Sequence, residues 1–147
     1  MNDPVQIHAS CAARGEHGIV LAGPSGAGKS DLLLRLIDAG YDLVADDRVC
    51  LHEGWASAPA PLAGLLEVRG IGIVRMRYRA RVRVVAVARL VSPADRPPRL
   101  PPPPHCDKVV GQPVFFIDPA QPSAVARIGL VLDYIAGRRQ LLDGRQM

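Results

Sequence analysis

The sequence predicts an α/β fold with a mostly β-sheet core and few helices, on three observations. Short β-branched apolar runs bounded by glycine recur along the chain, as in "IVLAG" and "RVRVVAVARLV". A glycine-rich loop, "GPSGAGKS" from Gly23 to Ser30, joins one such run to a leucine-rich stretch. Only two segments carry the spacing of an amphipathic helix. With 147 residues, 48% of them hydrophobic, the chain can bury one ordinary core, and a single domain over residues 1–147 is expected.

Taken in order, "VQIHASCAA" alternates as a strand does, "RGEHG" is a turn, and "IVLAG" is a short buried strand. After the glycine loop, "SDLLLRLIDAG" places leucines on a helical face, with Ser30 and Asp31 at its start and Gly40 at its stop. "YDLVADD" is the next strand, so strand, loop, helix and strand form a βαβ unit. "RVCLHEG" is expected to be a hairpin arm, "WASAPAPLAG" a loop, and "LLEVRGIGIV" the entry to a strand-rich region. The prolines of "SPADRPPRLPPPPHCDKVVGQP" impose an extended, polyproline-like loop. "VFFI" is a last strand and "SAVARIGLVLDYIAG" a closing helix, with Ser123 as cap and Gly137 as stop.

Composition narrows the function. The net charge is +4, but nearly all the basic residues are Arg, with Lys only at Lys29 and Lys108, and no aromatics are interleaved to stack bases. A nucleic-acid role is therefore not expected. Cys11, Cys50 and Cys106 lack metal-ligand spacing, and an odd count without a secretory signal indicates reduced thiols in the cytoplasm. No apolar run is long enough to cross a membrane.

The loop matches G-x-x-x-x-G-K-S/T in full. Gly23, Gly26 and Gly28, with Pro24, Ser25 and Ala27 between them, let the backbone wrap so that N–H groups point at phosphate oxygens. The following helix adds its positive end. Lys29 can reach the β- and γ-phosphates and the Ser30 hydroxyl can ligate Mg²⁺. "DLVADDRV" then sets two acids, Asp46 and Asp47, at the end of a strand. Ligands of a βαβ sheet lie beyond the carboxyl ends of its strands, so the pair should sit beside the glycine loop. One carboxylate can help hold Mg²⁺ while the other accepts a proton from an attacking hydroxyl.

The ordered set "IHAS", "GPSGAGKSD", "LVADDRV" and "LLEVRGIGI" resembles the catalytic domain of HPr kinase/phosphorylase, strongly from Val5 to about Ile73 and weakly beyond. The resemblance implies a P-loop-containing HPr kinase-like fold and an ATP- and Mg²⁺-dependent kinase. Its substrate would be a serine on an HPr-like phosphocarrier of the bacterial phosphotransferase system. It implies Asp47 as the base, Asp46 as a second acid, and Lys29 and His8 as catalytic residues. Ser30 and Glu67 become Mg²⁺ ligands, and Arg69, Gly70 and Gly72 part of the substrate-binding signature. A further catalytic Arg is implied after the next strand, with Arg99 the first choice and Arg96 the second. Homohexamers are implied by the family alone.

The chain departs from that family in several places. The larger members' N-terminal regulatory domain is not expected here, and Asp31 stands where Glu is usual. A Gly- and Phe-rich segment is replaced by "VRMRYRARVR", in which Arg75, Arg77, Arg79, Arg81 and Arg83 alternate. At strand period they would share one face, either a solvated edge or a docking surface for acidic groups. "FIDPAQPSAV" replaces the stretch tied to the reverse reaction, which argues against phosphorolysis. Two rival readings stay open: a small-metabolite kinase with the same loop, and a non-catalytic module that binds a partner when nucleotide is present.

Overall fold

The nine-residue strand β9 (Val82–Leu90) is the spine of the sheet. In this computed structural model, which describes residues 3–142, the strands before it are β1 (Val5–Ile7), β2 (Ser10–Arg14), β3 (His17–Ala22), β4 (Asp42–Ala45), β5 (Val49–His52), β6 (Trp55–Ser57), β7 (Leu65–Val68) and β8 (Gly72–Arg75). β10 (Val114–Ile117) follows it, and the helices are α1 (Lys29–Asp38) and α2 (Ala124–Ile135). β3 runs parallel to β9 along one side. On the other side β6 pairs antiparallel with its start and β10 parallel with its end. The resulting eight-stranded sheet is ordered β1-β5-β6-β9-β3-β2-β4, with β10 added at β9.

β2 lies between β3 and β4 and is antiparallel to both. β3 and β4 therefore point the same way, and the glycine loop and the acid pair leave the sheet from one edge. The expected βαβ unit is present with an antiparallel strand inserted in it. "VQIHASCAA" is not one strand: it breaks at His8–Ala9, because β1 pairs with β5 while β2 pairs with β3 and β4. No single straight segment could serve both partners.

Both faces of the sheet are covered. Leu32, Leu33 and Leu36 of α1 and Ile128 and Leu132 of α2 pack on Ile19, Leu21, Ala86, Ala88 and Leu90. Each such leucine contributes roughly 1.5–3 kcal/mol on full burial. On the opposite face Val20, Val44, Val82, Val84 and Val87 meet Val49, Leu51 and Ala56 of the β5–β6 layer. The switch between faces lies in β9, where Gly18 pairs with Val84 but Ile19 with Ala86. Val85 is the extra residue of a bulge, so Val85 and Ala86 both turn to the helical side. Gly18 sits where the chains cross: a Cβ there would run into Val82 and approach the Arg83 carbonyl at 2.9 Å.

Helix α1 ends as its glycine predicts. Gly40, at φ 104°, donates to the Ile37 carbonyl at 3.0 Å, and Tyr41 to Leu36 at 3.0 Å. Ser123 and Gly137 bound α2, and Arg14 of β2 ties that helix down through Asp133 at 2.7 Å. β7 and β8 form a separate hairpin whose Leu66 is buried in the helical core.

Two further sequence expectations change. Trp55–Ser57, expected in a loop, is strand β6, because Trp55 pairs with Arg83 and Ala56 with Val82, partners remote in sequence. The five alternating arginines do not share a face. Arg75 ends β8, Arg83 lies in β9, and the chain between is largely irregular, which destroys the period of two. Arg79 turns in to the Gly15 carbonyl at 2.7 Å and to Glu16 and Asp42. Arg77 lies 3.9 Å from Asp42, while Arg81 and Arg83 stack on Trp55.

Candidate active site

The glycine loop wraps around its own lysine. Gly26 and Gly28 have φ of 83° and 100°, conformations that strain any residue with a Cβ. Lys29 is buried, and its Nζ donates to the Gly23 carbonyl at 2.6 Å and the Pro24 carbonyl at 2.9 Å. Burial lowers the Lys29 pKa from its ordinary value, an effect partly offset by the charges of Asp47 and Asp46.

The adjacent acids point to different partners. Asp46, buried at 7% exposure, accepts at Oδ1 from the Ser30 hydroxyl at 2.8 Å and from the Ser10 hydroxyl at 3.0 Å. Its Oδ2 accepts from the Glu67 backbone N–H at 3.3 Å. Asp47 is 60% exposed at its side chain, and its Oδ1 lies 3.3 Å from His8 Nδ1. The other ring nitrogen of His8 is 3.4 Å from the Ser25 hydroxyl in the glycine loop. One acid thus abuts the end of the loop through Ser30, and the other reaches its start through His8 and Ser25.

A backbone turn produces this split. Arg48 N–H donates to the Asp46 carbonyl at 2.8 Å, two residues back, and Asp47 between them has φ 69°. Such a turn costs a non-glycine residue on the order of 1–3 kcal/mol and persists only where its surroundings impose it. Here the Asp47 N–H is fixed on the Ser10 hydroxyl at 3.4 Å. Ser10, fully buried, therefore organises both acids. The sequence reading did not single it out, although it is the serine of "IHAS".

Glu67 reaches the site through its backbone N–H on Asp46, and the residue is exposed. Arg69 and Gly70 lie in the exposed turn of the β7–β8 hairpin, with Gly70 at φ 84°, and exposed Gly72 opens β8. Arg96 and Arg99 differ sharply. Arg96 places Nε and Nη2 at 2.7 and 2.6 Å from the Oδ2 of Asp118, a carboxylate 1% exposed. Asp118 Oδ1 accepts from the Ala120 N–H, and this bond, reinforced by Arg96 against the opposing effect of burial, holds its pKa below the usual range. The next residue, Pro119, lies against Gly28 of the loop and accepts from Arg35 at 2.6 Å. Arg99 is exposed in the proline-rich stretch and makes no side-chain hydrogen bond or ion pair among the described residues. Asp118 was also missed, since nothing in "VFFIDP" marks a buried acid.

A cavity of about 250 Å³ flanks the loop, bounded by His8, Gly23, Arg89 and Asp107 and walled by Ile7 and Val110. Arg89 pairs with Asp107 at 3.3 Å, and Asp107 Oδ1 accepts from the N–H groups of Val109 and Val110, both at 2.8 Å. Burial would raise the Asp107 pKa, but those two N–H groups and Arg89 together bring it below its ordinary value.

A model of the HPr serine kinase C-terminal domain matches residues 1–85. The chain belongs to that family. HPr kinase/phosphorylase from Leptothrix cholodnii is 40% identical over 112 residues, covering 66% of this chain and 34% of that protein. The corresponding protein from Levilactobacillus brevis is 45% identical over 62 residues, covering 39% of this chain and 20% of that one. The chain thus aligns with 20–34% of the length of these relatives. The structure of the HPr(Ser) kinase/phosphatase from Coxiella burnetii superposes with a TM-score of 0.78 at 25% identity, covering 90% of this chain and 92% of that one. The fold is therefore the α/β fold of the HPr kinase catalytic domain, as the resemblance implied. The family match contains His8, the glycine loop, both acids, Glu67 and the Arg69–Gly72 turn, while Arg96 and Arg99 lie beyond it. No described helix is long and apolar enough to cross a membrane.

Proposed function

We propose that the chain is the catalytic unit of an ATP- and Mg²⁺-dependent protein serine kinase whose acceptor is an HPr-like phosphocarrier. One observation carries this reading: consecutive acids, Asp46 on Ser30 and Asp47 on His8, flank a phosphate loop from its two ends. The names of the relatives and of the Coxiella structure support the acceptor's identity.

The residues present fit both cofactors. The loop supplies backbone N–H groups and Lys29 for the phosphates of ATP. A hydroxyl and carboxylates are the hard oxygen donors that Mg²⁺ prefers, and this ion usually takes one or two carboxylates and completes its shell with phosphate and water. Ser30 and Glu67 would hold it, with Asp46 fixing the Ser30 hydroxyl. Magnesium bound there would neutralise charge on the phosphate oxygens.

The remaining steps belong to the chain's own groups. Lys29 exchanges the carbonyls of Gly23 and Pro24 for phosphate oxygens when nucleotide enters. Asp47 takes the proton of the acceptor serine as that oxygen attacks the γ-phosphorus and ADP leaves. Its Oδ1 is oriented by His8, whose far nitrogen is anchored on Ser25. Positioning and charge stabilisation carry most of the rate in such a transfer. The 60% exposure of Asp47 suits a hydroxyl presented by another protein, and less well a small acceptor that must be enclosed. Arg96, held by Asp118 next to the loop-contacting Pro119, is a better candidate for the second catalytic cation than Arg99.

The test is to incubate the chain with ATP, Mg²⁺ and the same organism's HPr and to search for phosphoserine by mass spectrometry. Phosphoserine on HPr is expected, and its absence would refute the proposal. Turnover of small acceptors in place of HPr would favour a metabolite kinase.

A further inference from the structure

Three charged residues are buried among the described residues: Lys29, Asp46 and Asp118. The first two build the phosphate-loop site. Asp118, one residue beyond β10, is left over by the proposed chemistry, and a buried carboxylate is costly unless it is paired and hydrogen-bonded. Its place in the fold supplies a use for it.

Leu90 and Ile117, the last residues of β9 and β10, are paired, and the Val91 N–H donates to the Ile117 carbonyl at 2.9 Å. Both strand exits brace the phosphate loop. A Cβ on Gly23 would lie 3.4 Å from Leu90 Cβ, and one on Gly28 would lie 3.4 Å from Pro119 Cγ. Arg96, in the segment after β9, turns back to place Nε and Nη2 at 2.7 and 2.6 Å from Asp118 Oδ2. Arg35 of α1 donates to the Pro119 carbonyl at 2.6 Å. Asp118 and Pro119 thus join the exits of β9 and β10 to the helix that the loop opens.

The Arg96 guanidinium is gripped along one edge. Nε and Nη2 face the carboxylate, whose Oδ1 is taken by the Ala120 N–H at 2.9 Å. Nη1 has no partner among the described residues, and the Arg96 side chain is 45% exposed. Arginine carries its N–H donors on a rigid planar fork, so fixing one edge fixes the direction of the other. We propose that Asp118 is a positioning residue for phosphoryl transfer, holding Arg96 by its Nε–Nη2 edge so that the Nη1 edge meets the phosphoryl oxygens as charge builds on them. The proposal rests on the kinase reading above. A cation fixed in advance stabilises that charge without reorganising during the reaction.

Transfer from ATP to HPr is timed for the unaltered chain, Asp118→Asn, Arg96→Gln and the double variant. Asp118→Asn keeps an acceptor for the Ala120 N–H and releases the arginine. Its kcat should fall at least tenfold with KM for ATP unchanged, the split expected of an interaction made only in the transition state. In the Arg96→Gln background the same change should cost less than twofold, because Asp118 acts through the arginine. Full kcat in Asp118→Asn, or a loss that multiplies with that of Arg96→Gln, would overturn the role and leave the kinase reading standing. No transfer by the unaltered chain would overturn both. If circular dichroism shows Asp118→Asn unfolded, Arg96→Gly decides. Added guanidinium ion, held by Asp118, should restore its transfer saturably where sodium chloride at equal ionic strength does not, and no recovery would overturn the role.

Discussion

Replacing Asp46 by Asn removes one charge and keeps the shape, so the loss can be worked from its three hydrogen bonds. The carboxylate accepts from Ser30 and Ser10 at Oδ1 and from the Glu67 N–H at Oδ2. An amide that keeps its oxygen toward the two hydroxyls turns its NH₂ against the Glu67 N–H, donor against donor. Hydrogen bonds to charged groups contribute roughly 1.5–3 kcal/mol, and a donor left unsatisfied costs about 1–3 kcal/mol. The alternative amide orientation strands two hydroxyls, one of them on the fully buried Ser10, and is worse. Because strand β7 is open to solvent around Glu67, water can meet its N–H, so the lower end applies. Asp46→Asn is expected to destabilise the chain by about 2 kcal/mol. In urea that lowers the unfolding midpoint by roughly 1 M at an unchanged slope. Equilibrium unfolding followed by circular dichroism measures it. A change below about 0.5 kcal/mol would show that the three bonds are not made together as described.

Three further outcomes are expected. Gly18→Ala drives a methyl group into Val82 and the Arg83 carbonyl at an ordinary backbone conformation, so overpacking should cost about 1–3 kcal/mol in the same urea assay. The thiols should separate in a native labelling time course. Exposed Cys106 reacts first, while Cys11, fully buried with its pKa pushed up to about 12, reacts only in denaturant. Asp118 and Asp133 have folded pKa values below their unfolded ones, chiefly through the Ala120 N–H and the Arg14 side chain respectively, and Asp107 is also lowered despite its burial. Their stabilisation is therefore complete above the unfolded carboxylate range and drains away as pH falls from about 4 toward the depressed values. Stability measured against pH should decline there, and less steeply in Asp133→Asn.

What local chemistry dictates could be read before any fold was known. Gly23 to Ser30 has the spacing of a phosphate loop, a wrapped backbone with a lysine and a hydroxyl at its end. The leucines of α1 and Gly40 behind them mark a helix by its period and stop, and the placement of Asp46 and Asp47 beyond a strand foretold their position beside the loop. Tertiary structure alone decided which partner each acid took. The turn at Asp47 sends one carboxylate to Ser30 and the other to His8, and Ser10, drawn in by pairing of β2 with β3 and β4, pins both. The same holds for Trp55 and the arginines. Their strand and their stacking depend on β6 meeting β9, and a bulge at Val85 resets the alternation within β9. Arg96 and Asp118 meet across a proline-rich loop whose composition specifies extension but no direction. Periodicity and motif spacing record forces between residues near in sequence. Strand order, bulges and buried ion pairs arise between distant residues, where a single sequence carries no signal of who meets whom.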